Sequence, residues 1–268
     1  MNRGKLLLAV LGVLAMLAVP AWAALIERTD TVAVVNSASA TAECPAGKSL
    51  VLGGFTTERT DPVQNPPAPF KLQRVAGNDW RASAKNWSGV PDATLTSIAY
   101  CGATRSLSVR KETKTLDVNE QGGVTARCPR GQRVAFGGFA GVYEFDQAQM
   151  FIDRLTRPSG RSWRVAALNL GDAPGDLTAI AYCGDVPRTE AKERTISVGP
   201  NDQKSVTVRC PRHHPVVFGG FESETTAFAA FVLIDGLERT GARQWQASAQ
   251  GGGGLAPGDL TAIAYCRV

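Results

Sequence analysis

The chain has 268 residues, 44% of them hydrophobic and 20% charged, with a formal net charge of +5. Its basic residues are interspersed with acidic ones, as where Arg110, Lys111 and Lys114 stand beside Glu112 and Asp117. A nucleic-acid binder would gather its basic residues into a stripe or patch, so no nucleic-acid partner is expected.

In chain order, residues 1–23 come first and read as a signal peptide. Arg3 and Lys5 give a positive start, residues 6–19 an apolar run, and Ala21-Trp22-Ala23 a small-residue cleavage site. The run is shorter than the roughly 20 residues a helix needs to cross a bilayer, which favours cleavage before Ala24 over a retained anchor. No cysteine follows the site and no apolar tail closes the chain, so neither a lipid nor a C-terminal anchor is expected. The expected location is secreted or extracellular, periplasmic in a Gram-negative host, with no integral membrane segment after cleavage.

Beyond residue 23 the pattern is β. "TVAVV" (31–35), "SLVLGGF" (49–55), "WRASA" (80–84) and "LTSIAYC" (95–101) carry apolar or β-branched residues at alternating positions. "RVAFGGF" (133–139), "WRVAAL" (163–168) and "LTAIAYC" (177–183 and 260–266) continue it. Turn-rich pieces such as "TDPVQNPPAP" (60–69), "RPSGRS" (157–162) and "QGGGGLAPGD" (250–259) separate the runs. No long helical period follows the signal segment.

These runs recur in three copies of about 83 residues. "TAECPAGKSLVLGGF" (41–55), "TARCPRGQRVAFGGF" (125–139) and "TVRCPRHHPVVFGGF" (207–221) align on Cys-Pro and Gly-Gly-Phe. Each copy goes on to Leu-x-Arg (Leu72/Arg74, Leu155/Arg157, Leu237/Arg239), then to Trp80, Trp163 or Trp245, and ends in Tyr-Cys. The repeats are assigned to residues 24–104, 105–186 and 187–268, each with five or six strands.

All six cysteines, at 44, 101, 128, 183, 210 and 266, follow the signal segment. An even count in an exported chain favours disulfides, and the absence of any C-x-x-C argues against structural zinc or a thioredoxin-like pair. One early and one late cysteine per copy favours Cys44–Cys101, Cys128–Cys183 and Cys210–Cys266. The rival plan links neighbours, Cys101–Cys128 and Cys183–Cys210, and leaves Cys44 to meet Cys266.

The fold class expected is all-β. The repeats either share a β-prism-like assembly with pseudo-threefold symmetry or form three small tandem sandwiches. The links at 102–107 and 184–194 lack the Gly/Ser composition of flexible linkers, which favours the shared assembly. The Gly-Gly pairs read as bulges or points of close backbone approach rather than a ligand loop. The three tryptophans read as core anchors, with Arg74, Arg157 and Arg239 stacked on them. Three all-β repeats, each running from Cys-Pro to a closing Tyr-Cys, resemble the vitelline-membrane outer-layer β-prism proteins and secreted bacterial proteins with "CPxG…GG…W…YC" repeats. That resemblance implies an extracellular β-prism; a carbohydrate-related role is analogy from it.

Chemistry is sparse. The only histidines are His213 and His214, and no G-x-S-x-G elbow accompanies them. His213 occupies the place of Gly47 and Gly131, so drift in a surface turn accounts for it, and neither a metal nor a cofactor is expected. Asp153 and Asp235 match between the second and third copies, inside "MFIDRL" and "FVLIDGL". They are candidate acidic-site residues that either pair with Arg157 and Arg239 or line a groove. Asp176 and Asp259 follow Pro-Gly and read as turn residues. Where copies differ, Asn86 and Trp87 in "KNWSG" (85–89) are candidate ligand contacts, since a loop tryptophan can stack on a sugar or enter a partner. The leading expectation is a non-enzymatic protein binding an extracellular surface, glycan or protein. The alternatives are an exported polysaccharide hydrolase using carboxylates and a structural coat or matrix protein.

Overall fold

A computed structural model describes residues 25–59, 66–75, 78–86, 93–103, 105–141, 149–224, 232–252 and 256–268. The expected signal peptide (1–23) and Trp87 lie outside the described residues. Among those residues every regular element is a strand. The first repeat forms β1 (Ile26–Ala33), β2 (Ser37–Ala42), β3 (Ser49–Arg59), β4 (Ala68–Arg74), β5 (Trp80–Lys85) and β6 (Ala93–Gly102). The second forms β7 (Ser108–Leu116), β8 (Gln121–Arg127), β9 (Arg133–Gly141), β10 (Met150–Ser159), β11 (Ser162–Asn169) and β12 (Gly175–Gly184). The third forms β13 (Thr189–Val198), β14 (Gln203–Arg209), β15 (Val216–Ser223), β16 (Val232–Gly241), β17 (Gln244–Gly251) and β18 (Gly258–Arg267).

The strands of one repeat do not stay together. Three six-stranded sheets run β1-β6-β3-β16-β17-β14, β2-β5-β4-β9-β12-β7 and β13-β18-β15-β10-β11-β8. Each repeat gives three strands to one sheet and three to the next, and the third repeat returns to the first. No repeat could form a complete sheet alone, so the tandem-sandwich alternative does not apply. The result is one threefold-repeated β assembly with three open sheets and a single core containing Trp80, Trp163 and Trp245.

The Gly-Gly-Phe motif follows from this exchange. A Cβ on Gly53, Gly137 or Gly219 would overlap the indole of Trp80, Trp163 or Trp245 in the same repeat. A Cβ on Gly54, Gly138 or Gly220 would strike the carbonyl oxygen of Leu237, Leu72 or Leu155 from a neighbouring repeat. The next residue then pairs across the seam: Phe55 with Leu237, Phe139 with Leu72, Phe221 with Leu155. Each tryptophan donates its Nε1–H to the second glycine's carbonyl, at 3.0, 3.0 and 3.1 Å. The indoles are thereby buried with their one polar group satisfied.

Disulfides join Cys44 to Cys101, Cys128 to Cys183 and Cys210 to Cys266, each inside one repeat. On the loop-entropy model each closure is worth roughly 4 kcal/mol. Between repeats, Tyr182, Tyr265 and Tyr100 accept hydrogen bonds from the backbone amides of Arg74, Arg157 and Arg239 at 2.6, 2.6 and 2.8 Å. Burial pushes the Tyr182 and Tyr265 phenols up to about 12. The Arg157 guanidinium lies 4.7 Å from the Tyr265 ring centroid and 5.3 Å from that of Phe218. This cation–π contact is with the tyrosine of the adjoining repeat, not with the tryptophan expected from the spacing.

Candidate functional site

Asp153 and Asp235 are the extra residues of β-bulges. Pairing of β10 with β11 shifts between Ile152 and Arg154, and that of β16 with β17 between Ile234 and Gly236. A bulge re-aims a side chain, and here it turns a carboxylate toward the edge strand that lies two strands away. Gln121 donates its Nε2–H to Asp153 Oδ2 at 2.7 Å, and Gln203 does the same to Asp235 Oδ2 at 2.9 Å. The first repeat carries Ser37 and Phe70 at these two places, so acid and amide are absent together.

Both carboxyls are buried, at 5% and 2% exposure, and neither forms the expected ion pair with Arg157 or Arg239. Burial raises the Asp153 carboxyl above its ordinary range, against the opposing hydrogen bond from Gln121 and the charges of Arg154 and Arg164. Burial pushes Asp235 up to about 6, against hydrogen bonds from Ser248 and Gln203. The position of Ser248 in register with Gly236 is held by Ala166 opposite Arg154, so Asp153 has one side-chain donor fewer. The Oδ1 atom of each aspartate is enclosed without a hydrogen-bond partner. The two residues belong to different sheets. Asp235 does not line the cleft that Asp153 lines, so they are not two carboxylates flanking one glycosidic bond.

That cleft has a volume of about 500 Å³ and crosses the sheet shared by the second and third repeats. Its lining comes from five strands: Gln121, Asp153 and Arg154, Glu222 and Ser223, Asp259 and Thr261, and Thr195, with Glu224 just beyond β15. One row of paired residues reads Thr195, Thr261, Glu222, Arg154. The same row is Thr31, Thr96, Thr56, Gly236 in the sheet of the first and third repeats. In the remaining sheet it is Thr113, Thr178, Ala140, Lys71. The hydroxyl pair at the edge is common to all three, with Oγ–Oγ distances of 2.9, 2.8 and 2.7 Å. Among the described residues of this row, only the sheet of the second and third repeats places opposite charges side by side at the seam, with Arg154 Nε 3.4 Å from Glu222 Oε1.

Asn86 is buried just beyond the end of β5. It is 4% exposed, donates its Nδ2–H to the Val34 carbonyl at 3.0 Å, and accepts a hydrogen bond from Arg59. Asn169 is its counterpart and spans Leu116, Asp117 and Ala173 in the same manner. Both are struts that tie the end of the strand after the tryptophan to the preceding turn. In the third repeat Gly251 stands there, and a Cβ would strike the Gly199 carbonyl. Asp176 and Asp259 lie within β12 and β18 rather than in turns, and Asp176 accepts a hydrogen bond from Thr115 across the strand pair at 2.6 Å.

His213 has φ 67° where Gly47 and Gly131 have 74° and 85°, so it is a turn residue held in a glycine conformation. His214 bonds the Arg267 carbonyl through Nδ1. Among the described residues no group of three or more His, Cys, Asp or Glu side chains is placed to hold a metal ion. No helix among them is long and apolar enough to cross a membrane. A scan against protein-family models finds no match for this chain, and neither does a search of curated proteins.

Proposed function

We propose that this is an exported, non-enzymatic binding protein, a disulfide-stapled β scaffold that holds an extracellular glycan or protein partner in the Asp153 cleft. Three disulfides suit an oxidising extracellular or periplasmic setting. The observation that carries the binding reading is the break in symmetry at the Arg154–Glu222 seam. Scaffold positions such as the glycine pairs, tryptophans and closing tyrosines repeat three times, whereas among the described residues the charged pair of the matched row occurs in one sheet. The placement of Asp153 and Asp235 in different sheets, with only Asp153 on the cleft, favours binding over a paired-carboxylate hydrolysis, which needs both groups flanking one bond.

An array of glycans and extracellular proteins, probed with the exported chain, tests this. Retention of a ligand that the Glu222→Gln/Asp259→Asn double variant loses is the expected result. A ligand retained equally by that variant moves the site elsewhere. An empty array favours the structural coat or matrix role.

A further inference from the structure

We propose that the cleft takes a cationic ligand, one presenting ammonium or guanidinium groups along an extended chain; this rests on the binding reading above and names its chemistry. Four carboxylates line the cleft, those of Asp153, Glu222, Glu224 and Asp259, against one lining cation, Arg154, with the charge of Arg164 also felt at Asp153. The whole chain carries a net +5, so this acidic concentration runs against its background and focuses a field that attracts positive charge. Arg154 and Glu222 are each 41% exposed. An exposed ion pair of that kind exchanges readily with an incoming cation.

The second observation is independent of that charge cluster. Asp153 is 5% exposed, and its Oδ1 has no hydrogen-bond partner. Asp235 Oδ1 is unpartnered as well, but of the two aspartates only Asp153 lines the cleft. A buried carboxylate with an unfilled acceptor on the floor of a cleft calls for a donor. Ammonium and guanidinium groups bring several donors together with the compensating charge. The carboxylates stand on β18, β15 and β10, consecutive strands of the sheet. Strands lie about 4.8 Å apart, a spacing that successive charges of an extended basic peptide or a polyamine can follow. A bare divalent ion fits less well, because Arg154 lies beside the carboxylates it would need.

Calorimetric titration of the full exported chain tests this with a hexalysine peptide, spermidine and a neutral gluco-oligosaccharide, each at low and high salt. Binding of hexalysine or spermidine is expected to weaken about tenfold in Glu222→Gln/Asp259→Asn, whose replaced side chains face solvent, and to weaken with salt. Glu238→Gln, in another sheet, leaves it unchanged. Tighter binding of the peptide assigns the cation to a partner protein, and tighter binding of spermidine to a free polyamine. Equal binding of the cations to wild type and double variant overturns the proposal. So does binding of the neutral oligosaccharide alone, lost in the double variant, although that result keeps the cleft as a binding site. If no probe binds, the cationic proposal fails by itself, and the array described above decides the binding reading.

Discussion

The Tyr182 hydroxyl receives the backbone N–H of Arg74 at 2.6 Å, across the boundary between the second and first repeats. Tyr265 with Arg157 and Tyr100 with Arg239 complete the same link around the molecule. Each repeat therefore depends on another for a buried hydrogen bond as well as for its strands. Tyr182→Phe leaves the Arg74 amide without its acceptor, and the expected loss of stability is about 1–2 kcal/mol. Denaturant unfolding measures it, and the transition should remain single because no repeat has a sheet of its own. Separate transitions for the repeats would contradict the strand exchange.

The second glycine of each pair meets backbone, the first a side chain. Gly138→Ala places a methyl group against the Leu72 carbonyl, where the seam pairing of Phe139 with Leu72 leaves no slack. The strands must separate locally, at an expected cost of about 3 kcal/mol. Gly160→Ala meets nothing closer than Arg133 Cδ at 4.0 Å and should change stability by under about 0.5 kcal/mol. Thermal melts of the two variants should differ clearly, and equal melting would contradict the close approach.

His213 carries the conformation its counterparts reserve for glycine. His213→Gly relieves the left-handed backbone cost while adding some chain entropy to the unfolded state. The expected net gain is about 0.5–1 kcal/mol, readable as a higher denaturation midpoint. A loss of stability would assign His213 a contact that holds it in place.

Asp235 makes stability depend on pH in an unusual direction. Its folded carboxyl titrates at about 6 against an ordinary 3.8, so the folded state binds the extra proton between those values. The stabilisation is full below about pH 4 and is lost as pH rises through about 6. Asp235→Asn resembles the protonated form and should be about 3 kcal/mol more stable than wild type at pH 7, with the gap closing toward pH 4. Parallel denaturation curves at the two pH values check this. A gap that widens on acidification would mean that the carboxylate, not the acid, is the stabilised form.

Much of the scaffold is legible in the sequence because it is written three times. Trp80, Trp163 and Trp245 occupy a fixed place after Leu-x-Arg, and one early and one late cysteine per copy limits the pairings. The exchange of strands is not legible, because near-identical copies leave open whether Phe139 pairs with the leucine of its own repeat or, as it does, with Leu72 of the first. Asp153 and Asp235 stand out as carboxylates in apolar strands, but an arginine partner is the natural guess from nearby residues. The partner is an amide on a distant edge strand. Its signal was present in the repeats: Gln121 and Gln203 accompany the aspartates, and Ser37 accompanies Phe70. Asn86 could have been matched with Asn169 by its distance from the tryptophan, which would have marked it as scaffold.

The cleft between the second and third repeats is tested most directly by backbone amide shift mapping, using whichever array ligand binds the labelled protein. The account predicts that the shifted amides cluster at Asp153, Arg154, Glu222, Ser223 and Thr261, with the matching row at Thr56, Gly236 and Thr96 unmoved. Shifts centred on that second row, or around Trp87, with the Asp153 cleft silent, would contradict it.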